Sequence, residues 1–93
     1  MNPLDTGIST VSIRYFARLR EVLACEQEQL ALPEGVHDVG ALLDLLRGRG
    51  GPWQAELASG RPVRVAVNQE LAQRSSPIAA GDEIAFFPPV TGG

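Results

Sequence analysis

Apolar and polar residues alternate from Thr10 to Phe16, with Val11, Ile13 and Tyr15 pointing one way and Ser12, Arg14 and Phe16 the other. That period of two predicts a strand whose first set faces a core, and it leaves Phe16 as an apolar residue on the outer face. Ala17 to Ala24 is rich in helix formers and carries Leu19 and Leu23 four apart, so a short helix follows. Glu26 to Leu32 alternates again as a mostly polar strand with Leu30 and Leu32 on one face, and Pro33-Glu34-Gly35 closes it as a turn. The clearest helical period runs from Val39 to Arg47. There Val39, Leu42, Leu43 and Leu46 form one buried stripe behind Asp38, whose carboxylate can cap the first turn. Gly48, Gly50 and Gly51 end that helix, with Arg47 near the negative end of its dipole.

The second half reads as shorter pieces. Pro52 to Ala58 predicts a short helix with Pro52 at its start and Trp53 packed inward. Arg61 to Asn68 is a strand with Val63, Val65 and Val67 on one face and Arg64, Ala66 and Asn68 on the other. A short segment around Leu71 and a loop from Arg74 to Pro77 lead to the turn Ala80-Gly81-Asp82. Glu83 to Phe87 is then the last strand, with Ile84 and Phe86 facing one way and Ala85 and Phe87 the other. One main helix across one face of a mixed sheet accommodates this order, which is an α+β domain of the β-grasp kind. In that arrangement the first and last strands are central neighbours, and Phe16 and Phe87 meet on the side away from the helix. The pair is either a docking patch or a cluster covered by the short helices and loops.

The chain's 93 residues make one small domain with one modest core. Residues 1–8 read as a flexible N-terminal extension, 9–89 as the domain, and 90–93 as an extended C-terminal tail. The net charge is −3, so the basic footprint of a nucleic-acid binder is missing, and all eight basic residues are Arg. No apolar run approaches the length of about 18 residues needed to span a membrane. The lone Cys25 and the lack of a signal-peptide pattern at the start predict a cytoplasmic protein with no membrane partner.

The inventory of catalytic side chains is thin. His37, just ahead of the main helix, reads as a solvated loop residue. Cys25 has no His or Cys neighbour in sequence for a metal site or a nucleophile dyad. The Gly48–Gly51 cluster follows a helix and has no Lys, unlike a phosphate loop. Glu26 and Glu28 read as carboxylates solvating a strand edge. The chain therefore reads as a carrier or substrate of another protein's chemistry, with no cofactor or metal of its own.

The working group is then sought in Phe86-Phe87-Pro88-Pro89-Val90-Thr91-Gly92-Gly93. Pro88 and Pro89 cannot continue a sheet ladder, and they are expected to lead the chain, extended and stiff, away from the body. Val90 and Thr91 favour extended backbone, and Gly92 and Gly93 fit a slot too narrow for any side chain. From Pro89 the tail reaches roughly 13–14 Å at full extension, far enough to put the Gly93 carboxylate inside another protein's active site.

This ending resembles the terminus of the small, sulfur-carrying subunit of molybdopterin synthase, a ubiquitin-like family. Ile13-Arg14-Tyr15-Phe16-Ala17 with Arg20-Glu21, Val67-Asn68-Gln69, and Gly81-Asp82-Glu83-Ile84-Ala85-Phe86-Phe87 resemble that family's opening strand and helix, third-strand turn and final strand. The extension before Ser9 and the absence of lysine depart from the family but do not touch the terminal motif.

The resemblance implies a non-catalytic subunit whose active site lies on a large partner subunit, in a heterotetramer. A ubiquitin-activating-type adenylyltransferase, using ATP and Mg²⁺, would adenylate Gly93. A persulfide sulfur donor would then leave a thiocarboxylate there for transfer to cyclic pyranopterin monophosphate. Gly92 and Gly93 would be the reacting end. Phe16, Leu71 and Phe87 would form the apolar partner surface, with Pro88, Pro89, Val90 and Thr91 as the rest of the contact; Leu71 enters through the resemblance alone. Two other readings stand beside it, a sulfur carrier for thiazole, cysteine or tRNA thiolation and a ubiquitin-like modifier of target lysines.

Overall fold

The computed structural model describes residues 10–58 and 60–89. Five strands form one mixed sheet. They are β1 (Thr10–Tyr15), β2 (Gln27–Ala31), β3 (Arg64–Val67), β4 (Glu70–Ala72) and β5 (Glu83–Phe87), in the order β2-β1-β5-β3-β4. β1 and β5 pair in parallel at the centre, and the other neighbours are antiparallel. This is the β-grasp arrangement that the sequence pattern predicts.

Three helices complete the domain: α1 (Ala17–Leu23), α2 (Val39–Arg47) and α3 (Gly51–Glu56). α2 has the predicted bounds. Asp38 holds an extended backbone while its carboxylate oxygen accepts the Ala41 N–H at 2.8 Å, satisfying a donor with no partner inside the helix. Val39, Leu42 and Leu46 are fully buried, and Leu43 is half-buried. They pack with Val11, Ile13 and Tyr15 of β1 and Ile84 and Phe86 of β5 in a single core. Every inward position predicted for the two central strands lies in that core. Tyr15 anchors one end of it, edge-on to Trp53 with ring centroids 5.3 Å apart and stacked on Phe86 at 6.0 Å.

Several boundaries differ from expectation. β1 ends at Tyr15, because Phe16 becomes the residue before α1 and Ala17 turns the chain with φ of 54°. β2 is shorter at both ends than Glu26–Leu32, and α3 starts at Gly51 and stops at Glu56 instead of running to Ala58. β3 starts at Arg64 rather than Arg61, consistent with Pro62 lacking the N–H that a ladder needs.

Asn68 and Gln69 both have positive φ, 51° and 71°, in a two-residue turn between β3 and β4. Asn68 also accepts the Glu83 N–H on its side-chain oxygen, while its own N–H donates to the Glu83 carbonyl. The hairpin is thereby pinned to β5, and the register of Leu71 is fixed.

Candidate functional site

The face of the sheet opposite α2 is built by strand parity. Arg14 lies beside Ala85, Ala85 beside Ala66, and Ala66 beside Leu71. One step along, Phe87 lies beside Arg64, and the parallel pairing of Tyr15 with Phe86 carries Phe16 to the level of Phe87. The Phe16 N–H donates to the Phe86 carbonyl at 3.1 Å, continuing the ladder past the strand's end. Phe16, Phe87 and Leu71 therefore share one face, with two small alanines between the aromatic pair and the leucine.

Phe16 is 41% exposed and Leu71 70% exposed, and these are the large hydrophobic side chains most open to water among the described residues; Phe87 is half-buried. The short helices do not cover the pair, which resolves the two readings of it in favour of an open apolar patch. The type of turn at Asn68-Gln69 places Leu71 there, since a slip of one residue would turn it to the other side.

Pro88 and Pro89 depart from expectation. Both are half-buried and line a cleft of about 240 Å³ with Arg18 and Leu19 of α1, Glu56 of α3, and Pro62 and Val63 ahead of β3. They lie along the body, as walls of that cleft, instead of leading off it. The expected roles of Val90, Thr91, Gly92 and Gly93 lie outside the described residues.

Glu56, one wall of that cleft, was not legible in the sequence. It is buried and accepts from Arg18 Nη2 at 2.9 Å, Arg18 Nε at 3.3 Å and Arg61 Nη2 at 3.2 Å. The Arg18 hydrogen bond, helped by Arg61 and opposed by burial, holds its carboxyl below the usual range. The partners are 38 and 5 residues away, so no local spacing announces the cluster.

Glu28 likewise does more than solvate an edge. It accepts the Tyr15 hydroxyl at 2.7 Å and a two-pronged contact from Arg49, both arms at 2.9 Å, and the Arg49 guanidinium lies 4.4 Å from the Trp53 ring centroid. Burial favours the neutral acid, but the hydrogen bonds from Arg49 and Tyr15 outweigh it and lower the Glu28 pKa. Burial first, then the bond to Glu28, push the Tyr15 hydroxyl far above its ordinary value. This network fastens β2 to the core and to the loop after α2, and its role is structural.

The Cys25 thiol is half-buried and donates to the Gln27 carbonyl at 3.7 Å. Burial, then the Glu28 charge, raise its pKa and disfavour the nucleophilic thiolate. His37 is exposed, and its carbonyl accepts the Ile78 N–H. Among the described residues no three His, Cys, Asp or Glu side chains gather as a metal site, and no helix is long and apolar enough to cross a membrane.

The sequence pattern of the ThiS family matches residues 13–93. A Haemophilus influenzae protein named molybdopterin synthase sulfur carrier subunit is 37% identical over 83 residues, spanning 89% of this chain and 99% of that protein. SAMP1 of Haloferax volcanii superposes with a TM-score of 0.74 at 31% identity, covering 90% of this chain and 99% of that one. A Helicobacter pylori chain from a complex of subunits 1 and 2 of molybdopterin-converting factor superposes with a TM-score of 0.58 at 25% identity, covering 90% and 99%.

Proposed function

Since the chain belongs to the ThiS family, we propose that it is a sulfur carrier for molybdopterin synthesis whose reacting group is the terminal carboxylate of Gly93. The observation that carries this reading is the open patch of Phe16, Phe87 and Leu71 beside the start of the segment leading to Gly93. The likeness to the Haemophilus sulfur carrier subunit and to the Helicobacter chain found with a second subunit supports it.

A carboxylate with a pKa of about 3.5 is ionised at neutral pH and is a poor electrophile. An adenylyltransferase partner using ATP and Mg²⁺ joins a carboxylate oxygen to the α-phosphorus and releases pyrophosphate. A persulfide sulfur from a donor protein attacks the carbonyl carbon and AMP departs. A thiol then cleaves the sulfur–sulfur bond, and Gly93 keeps a thiocarboxylate. The tail next enters the large synthase subunit, which supplies the active site for sulfur transfer to cyclic pyranopterin monophosphate. This chain contributes the docking face and the acyl end, in the cytoplasm, and binds no cofactor itself.

The test is an intact-mass measurement after incubation with adenylyltransferase, ATP, Mg²⁺ and a persulfide donor. The wild-type chain should gain the mass difference of one oxygen-to-sulfur exchange. Deletion of Gly93, or one residue added after it, moves the reacting carbon by about 3.5 Å, beyond near-attack range. Both variants should gain nothing and keep their circular dichroism. Thiolation of either at the wild-type rate would remove Gly93 from the acyl-carrying role.

A second reading, a ubiquitin-like modifier, is favoured by the superposition on the Haloferax protein, a small archaeal modifier protein by name. A ladder of lysine-linked conjugates in cell lysate would support it.

A further inference from the structure

The outer face carries two arginines beside its aromatic pair. Arg64 on β3 is exposed, stands directly beside Phe87, and makes no ion pair or side-chain hydrogen bond among the described residues. Arg14 on β1 holds its guanidinium carbon 5.6 Å from the Phe16 ring centroid. Its reach to Glu83 is 3.6 Å, and its Nε is buried without a hydrogen-bond partner.

Arg18, Arg47, Arg49, Arg61 and Arg74 meet carboxylates of this chain, and Arg20 lies in the last turn of α1, where a cation is favoured by the dipole. Arg64, without an ion pair among the described residues, thus adjoins Phe87, and Arg14, paired with Glu83, adjoins Phe16, in a chain whose net charge is −3.

We propose that Arg14 and Arg64 are specificity residues of the docking face, and that the protein surface receiving Phe16 and Phe87 places Asp or Glu carboxylates beside its apolar pocket. This rests on the sulfur-carrier reading and names the chemistry of the partner surface. Arginine suits the position because its planar fork matches a carboxylate and loses little hydration at an interface. The apolar centre supplies affinity, while the charged flanks orient the approach and set the on-rate. Against an overall negative chain, two local cations also discriminate between partners with an acidic rim and those with a basic one.

The experiment uses the full chain and, as probe, the large synthase subunit of the same organism, with association followed by stopped flow across a salt series. Arg64→Glu should slow association at least about tenfold at low salt. The deficit should largely vanish near 1 M salt, where the Debye length is about 3 Å. Arg64→Gln should fall between, and Arg14→Gln should weaken the salt dependence in the same direction; urea melts check that each variant is folded. Phe87→Ala, which removes a ring and no charge, should shorten the lifetime of the complex and leave the salt dependence intact.

Wild-type association rates in Arg64→Glu, with Phe87→Ala impaired, would overturn the carboxylate-flanked partner while leaving the docking face standing. Wild-type binding by Phe87→Ala would overturn both. Equal slowing of Arg64→Glu at all salt concentrations would also sink the proposal, since a charge effect must be screened. If the wild-type chain captures a single-stranded oligonucleotide and Arg64→Glu does not, the arginines serve phosphates and the proposal is wrong.

Discussion

Replacing Phe87 by Asp separates docking from folding. On the free protein the ring is half-buried, so removing it forfeits about half of the 1.5–3 kcal/mol that a fully buried large apolar side chain contributes, or about 1 kcal/mol. The new carboxylate stands directly beside Arg64, and an opposite-charge cross-strand pair returns about 0.2–1 kcal/mol. The lower strand propensity of Asp takes back up to about 1 kcal/mol, and the net loss of stability is about 1 kcal/mol. By contrast, truncating its fully buried neighbour Phe86 to Ala should cost about 3–5 kcal/mol.

In a complex that covers Phe87, the variant loses the apolar contact and also buries an ionised carboxylate, which costs several kcal/mol. Binding should weaken by about 3 kcal/mol or more, roughly a hundredfold in Kd. Titration calorimetry against the large synthase subunit, paired with a urea melt, reads both quantities. A collapse of the melting midpoint with unchanged affinity would show that Phe87 belongs to the core and that the outer-face assignment is wrong.

Two further outcomes concern stability. Glu28→Gln should cost about 1–3 kcal/mol, because Arg49 and Tyr15 lose a charged acceptor, with the lower end favoured since Arg49 keeps 32% of its side chain in water. The Glu28 pKa is lowered on folding from 4.5, so its stabilisation is complete above that value and fades as pH falls through the lower folded value. The gap between wild type and variant in urea melts should therefore shrink below about pH 4.5, and a constant gap down to pH 2 would contradict the ionised pairing. Asp38→Ala should cost about 1 kcal/mol through loss of the α2 cap, read as a lower melting midpoint, and an unchanged midpoint would show the cap to be dispensable.

The sequence by itself determined the central strands, the main helix and the inward set Val11, Ile13, Tyr15, Ile84 and Phe86. Those features rest on local periodicity and a local cap, and a period of two or 3.6 is written within one element. The outward parity of Phe16 and Phe87 is of the same kind. It needed only the side-by-side placement of β1 and β5 to become a patch, and the sheet order supplies that.

What the tertiary structure alone decided are the pairings between distant segments. Glu28 finds Arg49 and Tyr15, Glu56 finds Arg18, and Pro88 and Pro89 come to line one cleft with residues of α1 and α3. Leu71 reaches the outer face through the register of one hairpin, and Arg64 stands beside Phe87 with no ion pair among the described residues. The physical reason is that charge pairing and side-chain burial depend on distance in space, which chain spacing does not encode once partners lie on different elements.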